Sequence, residues 1–174
     1  MDTMQAIITR RAVRNFSDKP VTDETLTKIL EVGRAAPSPL NSQPWHFIVV
    51  RNKNTIIDVS HHANHGSFLA MAQIVIIVTA EKHAKVDEWL AEHQQHIYSA
   101  AGALEYMWLA AWDLGVGGCW VTVDEQHARK TFGIPNTHIL IGSLALGYPK
   151  ELPKEHTSGD RKPLSAEVSY EKFS

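Results

Sequence analysis

Residues 9–16 read TRRAVRNF and place Arg10, Arg11 and Arg14 close together near the start of the chain. Guanidinium groups are planar, permanently charged and carry paired donors, so this cluster suits a small phosphorylated anion. The same stretch also fits a nucleic-acid arm or a solvated basic turn pairing with a local acid such as Asp18. Taken alone, the solvated turn is the plainest of the three readings. A second candidate is PSPLNSQPWHF, residues 37–47, where Ser38, Asn41, Ser42 and Gln43 offer donors and acceptors on a proline-stiffened loop. A rigid polar loop opening onto a strand can read the edge of a heteroaromatic ring. By itself it is equally an ordinary connection whose polar side chains satisfy their own backbone.

Other chemistry-bearing residues carry less. His61, His62 and His65, and then His93 and His96, have helical spacings that a metal could use, but EHQQH is not HExxH and no carboxylate or cysteine set completes a site. They read as solvated helix faces, with no metal expected. Cys119 sits in an apolar glycine-rich turn and reads as a small buried hydrophobe; neither His46 nor His127 is marked as its partner. GVGG (115–118) lacks the spacing of a dinucleotide fingerprint and precedes a strand instead of following one.

The elements that must position these residues are legible. VTDETLTKILEVGRAAP predicts a helix capped by Thr22, with Leu26, Ile29, Leu30 and Gly33 on one face. A short helix is expected over 3–9, strands over 45–50 and 74–80, and helical structure over 53–72 with a break at 64–66. The pattern also predicts a polar helix over 84–95, a strand near 115–123, a helix over 124–134 opened by Asp124, and a strand over 138–149. IVIIVTA reads as buried on both faces, and the glycines of 138–149 predict a bulge or close backbone approach. Residues 97–114 form an apolar helix. Glu105 and Asp113 inside it argue against a membrane span. A helix apolar on nearly every face needs cover all round, and a second copy of the chain is the natural cover for the side its own domain leaves open. The alternative is enclosure by its own subunit. The fold class expected is α+β, a sheet of four or five strands with helices on its faces.

Composition narrows the function. A chain of 174 residues makes one domain, with about 150–174 as an extended tail. Lys+Arg 17 against Asp+Glu 19 gives a net charge of −2, so no global positive field exists to hold nucleic acid. One cysteine excludes an internal disulfide, and no secretory leader is visible, so a cytoplasmic location is expected.

Taken together, RRAVRNF and APSPLNSQPWHF resemble the RRSxRxF and APSxxNxQPW elements of the nitroreductase family of FMN-dependent oxidoreductases. IVIIVTA and LGVGGCW follow in family order, so the resemblance spans essentially the whole chain. It implies a nitroreductase-like fold with a mostly antiparallel central sheet and the long buried helix at a homodimer interface. It also implies tightly bound FMN, with NAD(P)H as a transient hydride donor. Arg10, Arg11 and Arg14 would hold the phosphate and ribityl region, with Arg14 nearer the ring. Pro37, Ser38, Pro39 and Asn41 would approach the ring from the partner subunit, so that the active sites are shared. Asn64 would meet the pyrimidine side. Ser67 stands where some relatives have lysine, which would reduce the charge near flavin N1 and lower the reduction potential. Trp120, Val121 and Thr122 would offer backbone groups to N5 and O4, and Arg161 and Lys162 would return to the phosphate. Ala12 departs from the family serine, so one hydroxyl contact is missing or replaced.

The activity implied is hydride transfer from NAD(P)H through the flavin to nitroaromatic, quinone or similar flat acceptors in a ping-pong cycle. No side chain is expected as catalytic acid or base, since the chemistry lies on flavin N5. Alternatives within the fold are a flavin-processing or dehalogenating relative, or an FMN-binding or storage protein. Outside it stands a nucleic-acid module using the N-terminal arginines.

Overall fold

One strand, buried on both faces, organises the molecule. The computed structural model describes residues 1–82, 88–154 and 161–173. Its sheet has four antiparallel strands in the order β1-β2-β4-β3, with β1 at Trp45–Val50, β2 at Ile74–Glu81, β3 at Gly117–Val121 and β4 at His138–Gly147. Successive side chains of β2 point to opposite faces. Ile74, Ile76, Val78 and Ala80 pack with α2 (Asp23–Arg34) and α5 (Gln95–Asp113), together with Leu144 and Leu146. Val75 and Ile77 pack the other way, with Ala145, Val121 and residues of α3 (Lys53–His61) and α6 (Glu125–Phe132). β2 is therefore covered on both faces, as its unbroken apolar run implies.

The helix ends follow local chemistry. Thr22 accepts from the Thr25 amide at the start of α2, and Asp124 accepts from the His127 amide at the start of α6. Asp2 caps α1 (Thr3–Thr9) in the same way. Gly33 lies where a Cβ would collide with the Met107 side chain, so the glycine sets the close α2–α5 contact. Of the polar helix expected over 84–95, Glu88–Glu92 forms α4; Gln94, at φ 57°, separates it from α5, and residues 84–87 lie outside those described. The break near 64–66 is present, followed by a 3-10 turn at Ser67–Met71. The last strand ends at Gly147, and its pairing with β2 shifts register at Val78/Thr79, opposite Gly142. The described tail carries a 3-10 turn at Leu164–Ala166 and is exposed.

Burial of α5 is one-sided within the chain. Ala100, Ala103, Leu104, Met107 and Ala111 are fully enclosed, whereas Tyr98 is 61% exposed and Tyr106 40%. On α1, Met4 and Ile8 are 65% and 64% exposed. No helix is long and apolar enough to cross a membrane among the described residues.

Candidate functional site

The arginine turn is fixed to the open edge of the sheet. Ala12 bridges Gly118 in parallel, and the Val13 amide donates to the Gly118 carbonyl at 2.8 Å. Phe16 bridges Pro149, and the Lys150 amide donates to the Asn15 carbonyl. Val13 and Phe16 are buried, so the backbone between them cannot swing and the arginine side chains start from set points. They then diverge. Arg10 stacks on Trp108 of α5, its guanidinium carbon 4.1 Å from the ring centroid. Arg14 is exposed and lies over Phe68 at 5.7 Å. Arg11 is buried and donates from Nη1 to the carbonyls of Ile8 and Arg10, and from Nε to that of Lys154.

Ion pairing separates these groups from three of the other arginines. Arg34, Arg51 and Arg129 each have a carboxylate within 4.0 Å. Among the described residues, Arg10, Arg11 and Arg14 have none within that distance. Burial pushes the pKa of Glu105 above the ordinary carboxylate range, with Arg10 pulling the other way. Burial likewise raises the Cys119 thiol, against the opposing pull of Arg14 and Arg10. Cys119 is thus a buried, protonated thiol, as its apolar setting implies. A cleft of about 390 Å³ opens beside the turn between Ala12–Asn15 and Glu151–Lys154.

Three other predicted stretches reach this region. The segment carrying Asn64 pairs with the end of β3: Ala63 bridges Val123, and the Asn64 amide donates to the Thr122 carbonyl at 3.1 Å. Ser67 is exposed one residue before the Phe68 that underlies Arg14. Trp120 follows Cys119 on β3 and packs its indole where a Cβ on Gly142 would stand. Arg10, Arg14, Asn64, Ser67 and Trp120–Thr122 therefore gather around one sheet edge. Arg161 and Lys162 are exposed; the tail returns to the arginine turn as far as Lys154, through the Arg11 bond.

The 37–44 loop stands elsewhere. It feeds β1, the opposite edge strand, and Trp45 pairs with Ala80 at the end of β2, away from the Ile74–Leu146–Gly118–Ala12 row. Four strand spacings of about 4.8 Å and six residues of about 3.3 Å rise separate the two corners by roughly 28 Å. Even fully extended, residues 41–45 span at most about 14 Å. Asn41 therefore cannot reach the arginine turn of the same chain, and no hydrogen bond joins Pro37, Ser38 or Pro39 to that turn among the described residues. Within the loop, Ser38 Oγ accepts from the Gln43 amide and the Ser42 amide donates to the Pro39 carbonyl; its end is tied to β2 by the Glu81 amide, which donates to the Pro44 carbonyl. Leu40, Asn41 and Gln43 all adopt positive φ, and Ser42 Oγ is buried without a hydrogen-bond partner.

Trp108, Phe68 and Lys154 were not singled out by the sequence. Trp108 is one of many apolar residues in α5, and nothing in its spacing marks it as the platform for Arg10. Gly142 did carry a signal, a glycine inside a strand, and its role is the close approach of Trp120.

A family model described as Nitroreductase family matches residues 7–65 and 58–148. A candidate NADH dehydrogenase/NAD(P)H nitroreductase of Archaeoglobus fulgidus is 33% identical over 165 residues, 92% of each chain. A structure of an FMN-dependent nitroreductase from Clostridium difficile R20291 superposes with a TM-score of 0.84 at 29% identity, covering 98% of this chain and 100% of the other. A candidate nitroreductase of Desulfovibrio desulfuricans, solved in complex with FMN, gives 0.81 at 27% identity, with 100% and 99% covered. The chain belongs to the nitroreductase family and, by that membership, is an oxidoreductase enzyme.

Proposed function

We propose that the chain is an FMN-dependent oxidoreductase that works as a homodimer, each of its two sites built from the arginine turn of one copy and the 37–44 loop of the other. The observation that carries this reading is the pair Arg10 and Arg14: two uncompensated guanidiniums on a rigid backbone, chemistry that fits a phosphate dianion. Arg10 and Arg14 hold the phosphate and ribityl end. Arg11 secures the turn and the tail beneath them and contributes its remaining donor. Asn64, Ser67 and the backbone of Trp120–Thr122 face the ring, and Arg161 and Lys162 close over the phosphate. Pro37, Ser38, Pro39 and Asn41 come from the second copy, because their loop opens onto the far edge strand and Asn41 cannot reach the arginines of its own chain. The open faces of α1 and α5 are the surface on which that copy rests.

When bound, FMN supplies two-electron exchange between NAD(P)H and a nitroaromatic, quinone or similar flat acceptor, taken in turn. The chain's residues bind and orient the ring and keep one face dry. No side-chain acid or base is assigned. Residues 1–174 act as one FMN-binding domain in a cytoplasmic setting. The test is direct. Purified protein should carry a flavin spectrum through gel filtration, bleach with NAD(P)H under nitrogen, and recover with a quinone. Failure of reconstituted protein to retain FMN, or full retention by an Arg10→Ala/Arg14→Ala double variant, overturns the reading.

A further inference from the structure

On the α3/α6 side of the sheet, three side chains converge that no part of the flavin reading uses. Asp58 and His62 stand one helical turn apart at the end of α3, and His127 comes from the first turn of α6. One ligand atom from each lies within 4.8 Å of the other two. His127 Nε2 is 2.7 Å from Asp58 Oδ2. The imidazoles of His62 and His127 stack at 3.6 Å between centroids with planes 6° apart. We propose that Asp58, His62 and His127 form a binding site for a borderline divalent transition ion, with Zn²⁺ as the occupant its ligand set fits best.

Several features favour this assignment. Two imidazoles and one carboxylate suit Zn²⁺, Co²⁺, Ni²⁺ or Cu²⁺ and are poor in the oxygen ligands that Ca²⁺ and Mg²⁺ require. His62 Nδ1 is 3.0 Å from the Asp58 main-chain carbonyl, a bond that places the ring proton on Nδ1 and leaves the Nε2 lone pair to a ligand. The last carbonyls of α3 add negative potential at the same end. A tetrahedral ion with bonds near 2.0–2.1 Å needs ligand atoms about 3.3 Å apart, so Asp58 and His127 open slightly while His62 closes in. Asp58 and His62 are exposed and free of core packing, which makes that movement cheap. Water completes the fourth position.

The backbone gives the site a firm base. His62 carbonyl accepts from the Asp124 amide at 2.7 Å, and Ala63 bridges Val123. An ion would clamp the end of the same paired segments that carry Asn64 and Thr122. Sequence spacing misses the site because its third ligand comes from a separate helix, and the i, i+4 pair that matters is Asp58–His62, not a pair of histidines.

The probe is Zn²⁺ itself, titrated into untagged, FMN-saturated protein against a chromophoric chelator at neutral pH. The expected result is one equivalent bound, with affinity reduced at least about tenfold in His62→Gln and in Asp58→Ala. His127→Gln should behave alike, and His93→Gln should not change it. Co²⁺ should give a visible ligand-field band in the wild type that is lost in His62→Gln. Equal Zn²⁺ affinity in the wild type and all three ligand variants would mean an adventitious ion only and would overturn the site. So would the absence of a one-to-one complex at micromolar Zn²⁺. Asp58 and His62 are exposed, so their variants keep the test intact if His127→Gln folds poorly. None of these readouts depends on flavin chemistry, so failure here leaves the oxidoreductase reading standing.

Discussion

The arginine turn and the 37–44 loop are the two stretches with recognisable chemistry, and they are built in opposite ways. The turn is annexed to the sheet: Val13 and Phe16 are buried, and its amides and carbonyls bond to Gly118, Tyr148 and Lys150. Its side chains point away charged and without carboxylates. The loop is tied to the sheet at its last residue, where the Pro44 carbonyl accepts from the Glu81 amide. Before that point it closes on its own hydrogen bonds, holds three non-glycine residues at positive φ, and leaves Leu40 73% exposed. On the reading proposed above, one stretch is a finished half-site. The other has a strained shape and an exposed apolar tip, which is what a segment completed by another molecule would show.

The largest expected effect lies under the turn. Phe16→Ala should destabilise the apoprotein by about 3–5 kcal/mol, since it empties a buried aromatic site against Gly147 and Pro149. Leu40→Ala, an equal-minded truncation in the loop, should cost almost nothing in urea unfolding of the apoprotein. Similar losses at both positions would erase the contrast between them. Within the turn, Arg14→Ala should weaken FMN retention by about 10–100-fold while leaving apoprotein stability within about 0.5 kcal/mol. Arg11→Ala should lower apoprotein stability by about 1–3 kcal/mol, because three main-chain carbonyls lose a charged donor. If Arg11→Ala affects retention alone, Arg11 is a ligand and not a brace.

How much of this could be read from the residues differs between the same two regions. Helix caps, strand positions and the burial of β2 follow from local chemistry: Thr22 and Asp124 sit where caps must sit, and Ile74–Ala80 has no polar face to expose. The pairing of Ala12 with Gly118 is not local. It joins positions far apart in sequence, and nothing in TRRAVRNF distinguishes an annexed edge from a free turn. The division of labour between Arg10, Arg11 and Arg14 was equally hidden, because three arginines look alike until Trp108, Phe68 and the Lys154 carbonyl are in place. The strain at Leu40 had no signal either, since glycine or asparagine is what a left-handed position ordinarily shows.

That strain gives a smaller prediction with two opposite signs. Leu40→Gly removes the cost of a left-handed leucine but loosens the unfolded chain, so apoprotein stability should rise by roughly 0.5 kcal/mol. If the exposed leucine seats against a second copy, the same variant should lower FMN retention and dimer affinity. A rise in stability with unchanged retention would confine the loop to a local role and detach it from the site.

The gentlest probe is Glu105, on the half-open face of α5 near Arg10. Its folded-state pKa lies above the ordinary value because burial disfavours the carboxylate, so the native state holds its proton more tightly than the unfolded chain. The sign follows: this residue favours folding below the ordinary carboxylate range, and that contribution is lost as pH rises through the raised folded value. Glu105→Gln stays neutral throughout. The melting temperature of the variant should therefore gain on the wild type as pH is raised from about 4 to 7. Arg10 limits the gain, because its charge favours the carboxylate. In an Arg10→Ala background, the advantage of Gln should widen. If it does not, Arg10 is coupled to Trp108 alone, and the charge at this corner is even less compensated than the turn's geometry requires.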